Sequence, residues 1–195
     1  MNRPDHPTDA SLAVAARQGD DAAFAAIMRR HKGWLYQFIR RYVADRDEAY
    51  DVLQETFVSA WSALARFDTA RPMEAWLRRI ALNKCRDRAR RNTVRRTALR
   101  IFGFGAEANA SAPAPDSATA ADQALSRLEA AIQKLPQGLR ESLLMTALEG
   151  LSHKEAGDLL GVNAKAVETR VYRAKKQLAL MLDRGDLSDI AEKSE

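Results

Sequence analysis

Cysteine is almost missing: Cys85 stands alone in 195 residues, so no internal disulfide can form. His6, His31 and His153 have no cysteine partners at zinc spacing, which excludes a zinc finger. Uninterrupted apolar runs are only a few residues long, far short of the roughly 20 that a membrane span needs. The first residues, MNRPDHPTDASLAVAARQGDD, hold no sustained apolar run and soon turn acidic, so no secretory signal is expected. Glycine and proline are scarce inside the periodic segments, and no stretch keeps a strand period for long. The expected class is therefore all-α. No pair of carboxylates stands with a histidine or a metal-binding cluster, so the pattern gives no support to an enzyme, a cofactor or a small-molecule substrate. The economical expectation is a soluble cytoplasmic protein.

What is present is positive charge, unevenly spread. The net charge is +5 overall, but segment 76–100 alone carries ten Lys/Arg against the single acid Asp87, a net of +9. Such density favours a polyanion, because binding releases condensed counterions. A second cationic stretch lies in SHKEAGDLLGVNAKAVETRVYRAKKQLALML, residues 152–182. Ser152 and Glu155 have capping-box spacing. Ala156, Leu159 and Leu160 form a short apolar stripe, and Gly161 can supply the left-handed residue that stops a helix. Asn163 can cap a second, longer helix whose apolar positions are Val167, Val171, Ala174, Leu178 and Met181. Lys165, Thr169, Arg170, Tyr172, Arg173 and Lys176 lie off that stripe. A short helix, a turn and a longer cationic helix predict a helix-turn-helix.

The remaining segments organise around these two. Helices are expected over 8–18 and from the Asp20 cap through Phe24, Ile27, Met28, Leu35, Phe38, Ile39 and Tyr42. His31 falls on that stripe as a core neighbour rather than a ligand. A third helix, with Leu53, Phe57, Ala60, Trp61 and Leu64 inward, runs to about Arg66. After loop 67–72, Pro72 suits the first turn of a fourth helix, which buries Trp76, Leu77, Ile80 and Ala81. Residues 97–121 include ASAPAPDSATAAD, too poor in large apolar groups to order themselves, and read as a flexible linker; the apolar patch 101–104 just before it is expected either to dock on a partner or to fold back on a domain, and the sequence does not choose between the two. The chain resumes at Asp122 with Leu125, Leu128, Ile132 and Leu135 on one helix. Leu139, Leu143, Ala147 and Leu148 mark the next, ended by Gly150. The expected units are thus 8–96 and 122–183, with 184–195 as a disordered tail.

Three segments in order, DEAYDVLQETFVSAWSALARFD, MEAWLRRIALNKCRDRARR and LPQGLRESLLMTALEGLSHKEAGDLLGVNAKAVETRVYRAKKQL, resemble the extracytoplasmic-function (ECF) group of bacterial RNA polymerase sigma factors. The resemblance implies a region 2 domain that melts the promoter and a region 4 domain that reads the minus-thirty-five element. It implies core RNA polymerase, promoter DNA and an anti-sigma factor as partners, and no catalytic activity of the chain itself. Asp51, Gln54 and Glu55 share one helix face, which in this family docks on polymerase. Phe67, Asp68 and Thr69 match the family's base-capture loop, with Phe67 and Trp76 expected to shape the pocket rather than to stack on a base. Arg79, Asn83 and Arg86 line up for the minus-ten strand, Asn83 as base reader and the arginines as phosphate clamps. Lys165, Glu168, Thr169 and Arg170 are the expected base readers upstream, and Arg173 and Lys176 the backbone contacts. Tyr50, Met73, Glu168 and Gly157 depart from the commoner family residues. A free-standing helix-turn-helix regulator would leave the N-terminal half without a task, and a sigma-mimicking antagonist would be expected to lack the cationic faces.

Overall fold

Helix ends, not strand ladders, organise this chain. The structure, a computed structural model, describes residues 7–43, 45–101 and 119–192, and every regular element among them is helical. The chain divides into two compact units, one up to Gly105 and one from Ala106.

The first unit holds α1 (Asp9–Arg17), α2 (Asp21–Tyr42), α3 (Arg46–Ala63) with a 3₁₀ turn (Leu64–Arg66), and α4 (Met73–Ile101). Thr8, Asp20 and Asp45 cap the first three, each side chain accepting an amide hydrogen from three residues on. The core is built from Ile27, Leu35, Phe38 and Ile39 of α2, Val52 and Phe57 of α3, and Leu77, Ala81 and Leu82 of α4. His31 is buried as expected and is fully engaged: Trp34 Nε1–H donates to its Nδ1 at 2.9 Å, which places the ring proton on Nε2, 2.9 Å from the Asp9 carboxylate. The same indole carries the Arg78 guanidinium 5.2 Å from its ring centre, so one polar chain ties α1, α2 and α4 together. Two stripe positions point outward instead. Met28 is exposed, and Trp61 is partly exposed while packing edge to face with Phe24, ring centres 4.8 Å apart.

The second unit holds α5 (Ala120–Lys134), α6 (Gln137–Leu143) with a π turn (Leu144–Leu148), α7 (His153–Leu160) and α8 (Ala164–Glu192). Thr119 and Asp122 form a capping box, so α5 begins before the expected start at 122. Toward its N-terminus Leu125 is exposed and Leu128 half-buried, while Ala131 and Leu135 are buried and join Leu143, Ala174 and Leu178. The π turn corrects another expectation. One extra residue in the turn rotates the later positions about the helix axis, so Leu143, Leu144 and Met145 are buried in succession while Ala147 and Leu148 face solvent.

The segment boundaries also move. Residues 97–101 continue α4 and 102–118 lie outside the described residues, as does most of the patch 101–104. α8 continues to Glu192, through most of the expected tail, with 193–195 outside the described residues. The single glycine there, Gly185, costs about 1 kcal/mol, too little to end a helix already nucleated.

The helix-turn-helix follows the sequence closely. Ser152 and Glu155 make both bonds of the capping box, Gly161 sits at φ +74°, and Asn163 accepts the Ala166 amide at 2.8 Å. Gly157 is buried where the turn folds back, and a Cβ there would lie 2.6 Å from the Val162 carbonyl oxygen. Alanine at a helical glycine ordinarily stabilises by up to about 1 kcal/mol. Gly157→Ala is expected to do the reverse, destabilising the second unit by about 1–3 kcal/mol through backbone displacement. Amide exchange across 153–178 in the full chain measures the sign.

Candidate nucleic-acid interface

Each expected site residue lies on a helix face opposite buried neighbours, or in the loop between two helices. On α3, Ala49, Val52, Leu53, Thr56 and Phe57 turn inward, which leaves Asp51 and Gln54 exposed and Glu55 half-buried. Tyr50 stands beside them, stacked on Tyr36 of α2 with ring centres 4.5 Å apart. The acids of this face already have partners within the unit. Arg88 of α4 lies 3.3 Å from Glu48 and 3.6 Å from Asp51, and Arg91 lies 3.9 Å from Glu55. Asn92 donates to Glu48 at 3.2 Å. Glu48 is a member of this ladder that helix periodicity alone does not single out.

The ladder changes the meaning of the basic segment. Arg88 and Arg91 face acids of α3, and Arg90 pairs with Asp87. The local charge is therefore partly neutralised before any polyanion arrives. The polar groups Arg79, Asn83 and Arg86 form a row along one face of α4, the first two exposed and Arg86 half-buried, with Leu77, Ala81 and Cys85 buried behind them.

Loop 67–72 is anchored at both ends and open in the middle. Phe67 is buried and packs on Trp76 with ring centres 4.8 Å apart. With 4% exposure this ring offers no face to a base and lies beneath the loop. Met73 is likewise buried. Between them Asp68 is exposed and Thr69 half-exposed. Asp68 accepts the Ala70 amide at 3.0 Å, and Arg71 Nε lies 3.3 Å from its other oxygen. Arg17 of α1 is a residue the sequence pattern misses. Its Nε–H donates to the Leu64 carbonyl at 2.9 Å, and a terminal amine donates to the Phe67 carbonyl. No sequence signal marks it, since the bond spans some fifty residues.

In the second unit, Val167, Ala174 and Leu178 bury one face of α8. Lys165, Glu168, Arg173 and Lys176 are exposed, and Thr169 is half-exposed. Tyr172, 69% exposed, joins this row as a further candidate contact. Lys165 Nζ donates to the Glu168 carboxylate at 2.9 Å, and Thr169 Oγ1 donates to the Lys165 carbonyl at 2.9 Å. The lysine hydrogen bond and charge hold the Glu168 carboxyl below the ordinary carboxylate range, so the pair persists at neutral pH and is lost as acidification protonates the acid. Arg170 departs from the row. It is half-buried, and its guanidinium carbon lies 3.6 Å from where a Cβ on Gly138 of α6 would sit. Among the described residues no cluster of His, Cys, Asp and Glu could hold a metal ion, and no helix is long and apolar enough to cross a membrane.

Comparison with known proteins agrees with this division. The Sigma-70 region 2 family matches residues 27–96, and Sigma-70, region 4 matches residues 125–178. RNA polymerase sigma factor CnrH of Cupriavidus metallidurans is 40% identical over 191 residues, covering 91% of this chain and 97% of the relative. The chain belongs to the ECF group of the sigma-70 family. RNA polymerase sigma factor NccH of Alcaligenes xylosoxydans xylosoxydans is 37% identical, covering 91% and 96%. The solved structure of CnrH in complex with the cytosolic domain of CnrY covers 90% of this sigma factor and 97% of that chain, with 36% identity and a TM-score of 0.63.

In this sigma factor the Lys165–Glu168 pair withholds a cation from the exposed row of α8. Glu168→Gln is expected to raise affinity for arbitrary duplex DNA and to steepen its salt dependence by about one counterion. A salt titration of binding to a random duplex reads both effects.

Proposed function

We propose that this ECF sigma factor binds core RNA polymerase through the exposed face of α3, melts promoter DNA with loop 67–72 and the α4 row, and reads the upstream element with α8. The observation that carries the reading is the pair of polar rows, on α4 and α8, each displayed opposite a buried face. Each also falls within a matched sigma region. Asp51, Gln54 and Glu55 form the polymerase contact. The partner's basic groups take over Asp51 and Glu55, whose pairs with Arg88 and Arg91 are open to solvent on at least one side, an exchange favoured because such pairs contribute only about 0–1 kcal/mol. Asp68 and Thr69 hold a base taken out of the stack, with Phe67 as the buried wall. Asn83 reads a base edge, and Arg79 and Arg86 hold phosphates of the melted strand. On α8, Lys165, Glu168 and Thr169 approach base edges, while Arg173 and Lys176 hold the backbone. Arg170, seated over Gly138, braces α8 against α6 and reaches DNA only from the flank of the row.

The chain in this reading performs no covalent step and acts in the cytoplasm with the polymerase. An anti-sigma factor controls it. CnrH is solved with the cytosolic domain of CnrY, and the likeness to CnrH over most of both chains supports a partner of that kind here.

Transcription in vitro with purified core polymerase on a promoter library tests the whole reading. Sequence-selective starts are expected, and absence of any start without an inhibitor present overturns it. The docking face has its own test. Changing Asp51 and Gln54 together to alanine should weaken core binding by about tenfold, equivalent to about 1.4 kcal/mol. Unfolding of the free protein should shift by less than about 1 kcal/mol, since only an exposed pair is lost. Unchanged core binding would exclude this face.

A further inference from the structure

Loop 67–72 is held by a residue of α1, remote in sequence and outside the polar rows of α4 and α8. We propose that Arg17 is a positioning residue for promoter melting: its guanidinium clamps the start of the loop and keeps it in the shape that accepts a flipped base. The role rests on the reading of the loop as the base-capture element.

The geometry supplies the reason. The 3₁₀ turn ends at Arg66, and the chain leaves it at Phe67 in an extended conformation, ψ 128°. Carbonyls at such an end lack intrahelical donors and need other partners. Leu64 O receives the Phe67 amide at 3.0 Å and, in addition, Arg17 Nε–H at 2.9 Å. The Phe67 carbonyl receives the second arm of the same guanidinium. A planar fork that meets two carbonyls three residues apart fixes both the position and the direction of the departing backbone. The positive charge also lies at the negative end of the helix that it closes. Below the clamp Phe67 packs on Trp76, and beyond it Asp68 closes the tight turn onto the Ala70 amide at 3.0 Å. The exposed groups of the loop, Asp68 and Thr69, therefore follow directly on a doubly anchored residue. A loop already in its binding shape loses less entropy when it binds. Arg17 itself lies at the last turn of α1, remote in sequence from those groups and with no placement in the rows of α4 or α8.

Lysine at this position keeps the charge but loses the fork, and alanine loses both. The test uses three measurements on the full chain: amide exchange at residues 67–71, affinity of the reconstituted holoenzyme for single-stranded oligonucleotides selected from a random pool by the unmodified holoenzyme, and affinity for core polymerase. Arg17→Ala is expected to accelerate exchange in the loop and to weaken oligonucleotide binding about tenfold, the scale of one charge-assisted hydrogen bond, and Arg17→Lys by about threefold. Core affinity should not move. Unchanged exchange in both variants would overturn the clamp, whatever the loop binds. Faster exchange with undiminished oligonucleotide binding would overturn the base-capture reading, and with it the role given to Arg17. A loss of core affinity in step with the oligonucleotide loss would reduce Arg17 to a general support of the fold. If the alanine variant does not fold, the lysine variant alone carries the comparison.

Discussion

Short helices in small domains leave a large share of their amides and carbonyls at ends, where no intrahelical partner exists. That constraint shapes both units of this sigma factor. Thr8, Asp20 and Asp45 satisfy amides in the first unit, and Thr119, Ser152 and Asn163 do so in the second. At the opposite ends the solutions are more varied: a left-handed glycine at Gly161, a π turn at Leu144–Leu148, and an arginine brought in from another helix at Leu64 and Phe67. Two of the proposed functional elements lie at such ends. The helix-turn-helix is a C-terminal stop followed at once by an N-cap, and loop 67–72 is the gap between one helix and the next.

Charge is handled with similar economy. A segment as basic as 76–100 would repel itself if every cation faced solvent. The structure sets Arg88 and Arg91 against Glu48, Asp51 and Glu55 of α3. The proposed polymerase face and the basic helix thus share one ion ladder, and partners at one surface alter the charge balance at the other. The Arg91–Glu55 pair is the more exposed and contributes little to folding, whereas Arg88–Glu48 is partly buried.

Most helices were legible from apolar spacing and end signals, and the capping box at Ser152 and Glu155 was legible to the residue. Periodicity failed where a helix departs from 3.6 residues per turn or where only part of it is covered. The π turn put Leu144 and Met145 inside in place of Ala147 and Leu148. Leu125 has a helical spacing suited to a core but is exposed.

Local sequence determined the all-helical class, the two units and the row of polar groups on each candidate helix, because those properties depend on neighbours three and four residues away. Tertiary structure alone decided which of those groups are already engaged. Asp51 meets Arg88, Arg170 lies over Gly138, and Arg17 reaches the carbonyls of a turn some fifty residues distant. Such pairings depend on how helices pack, and packing is set by the whole apolar surface together, so no local pattern can announce them.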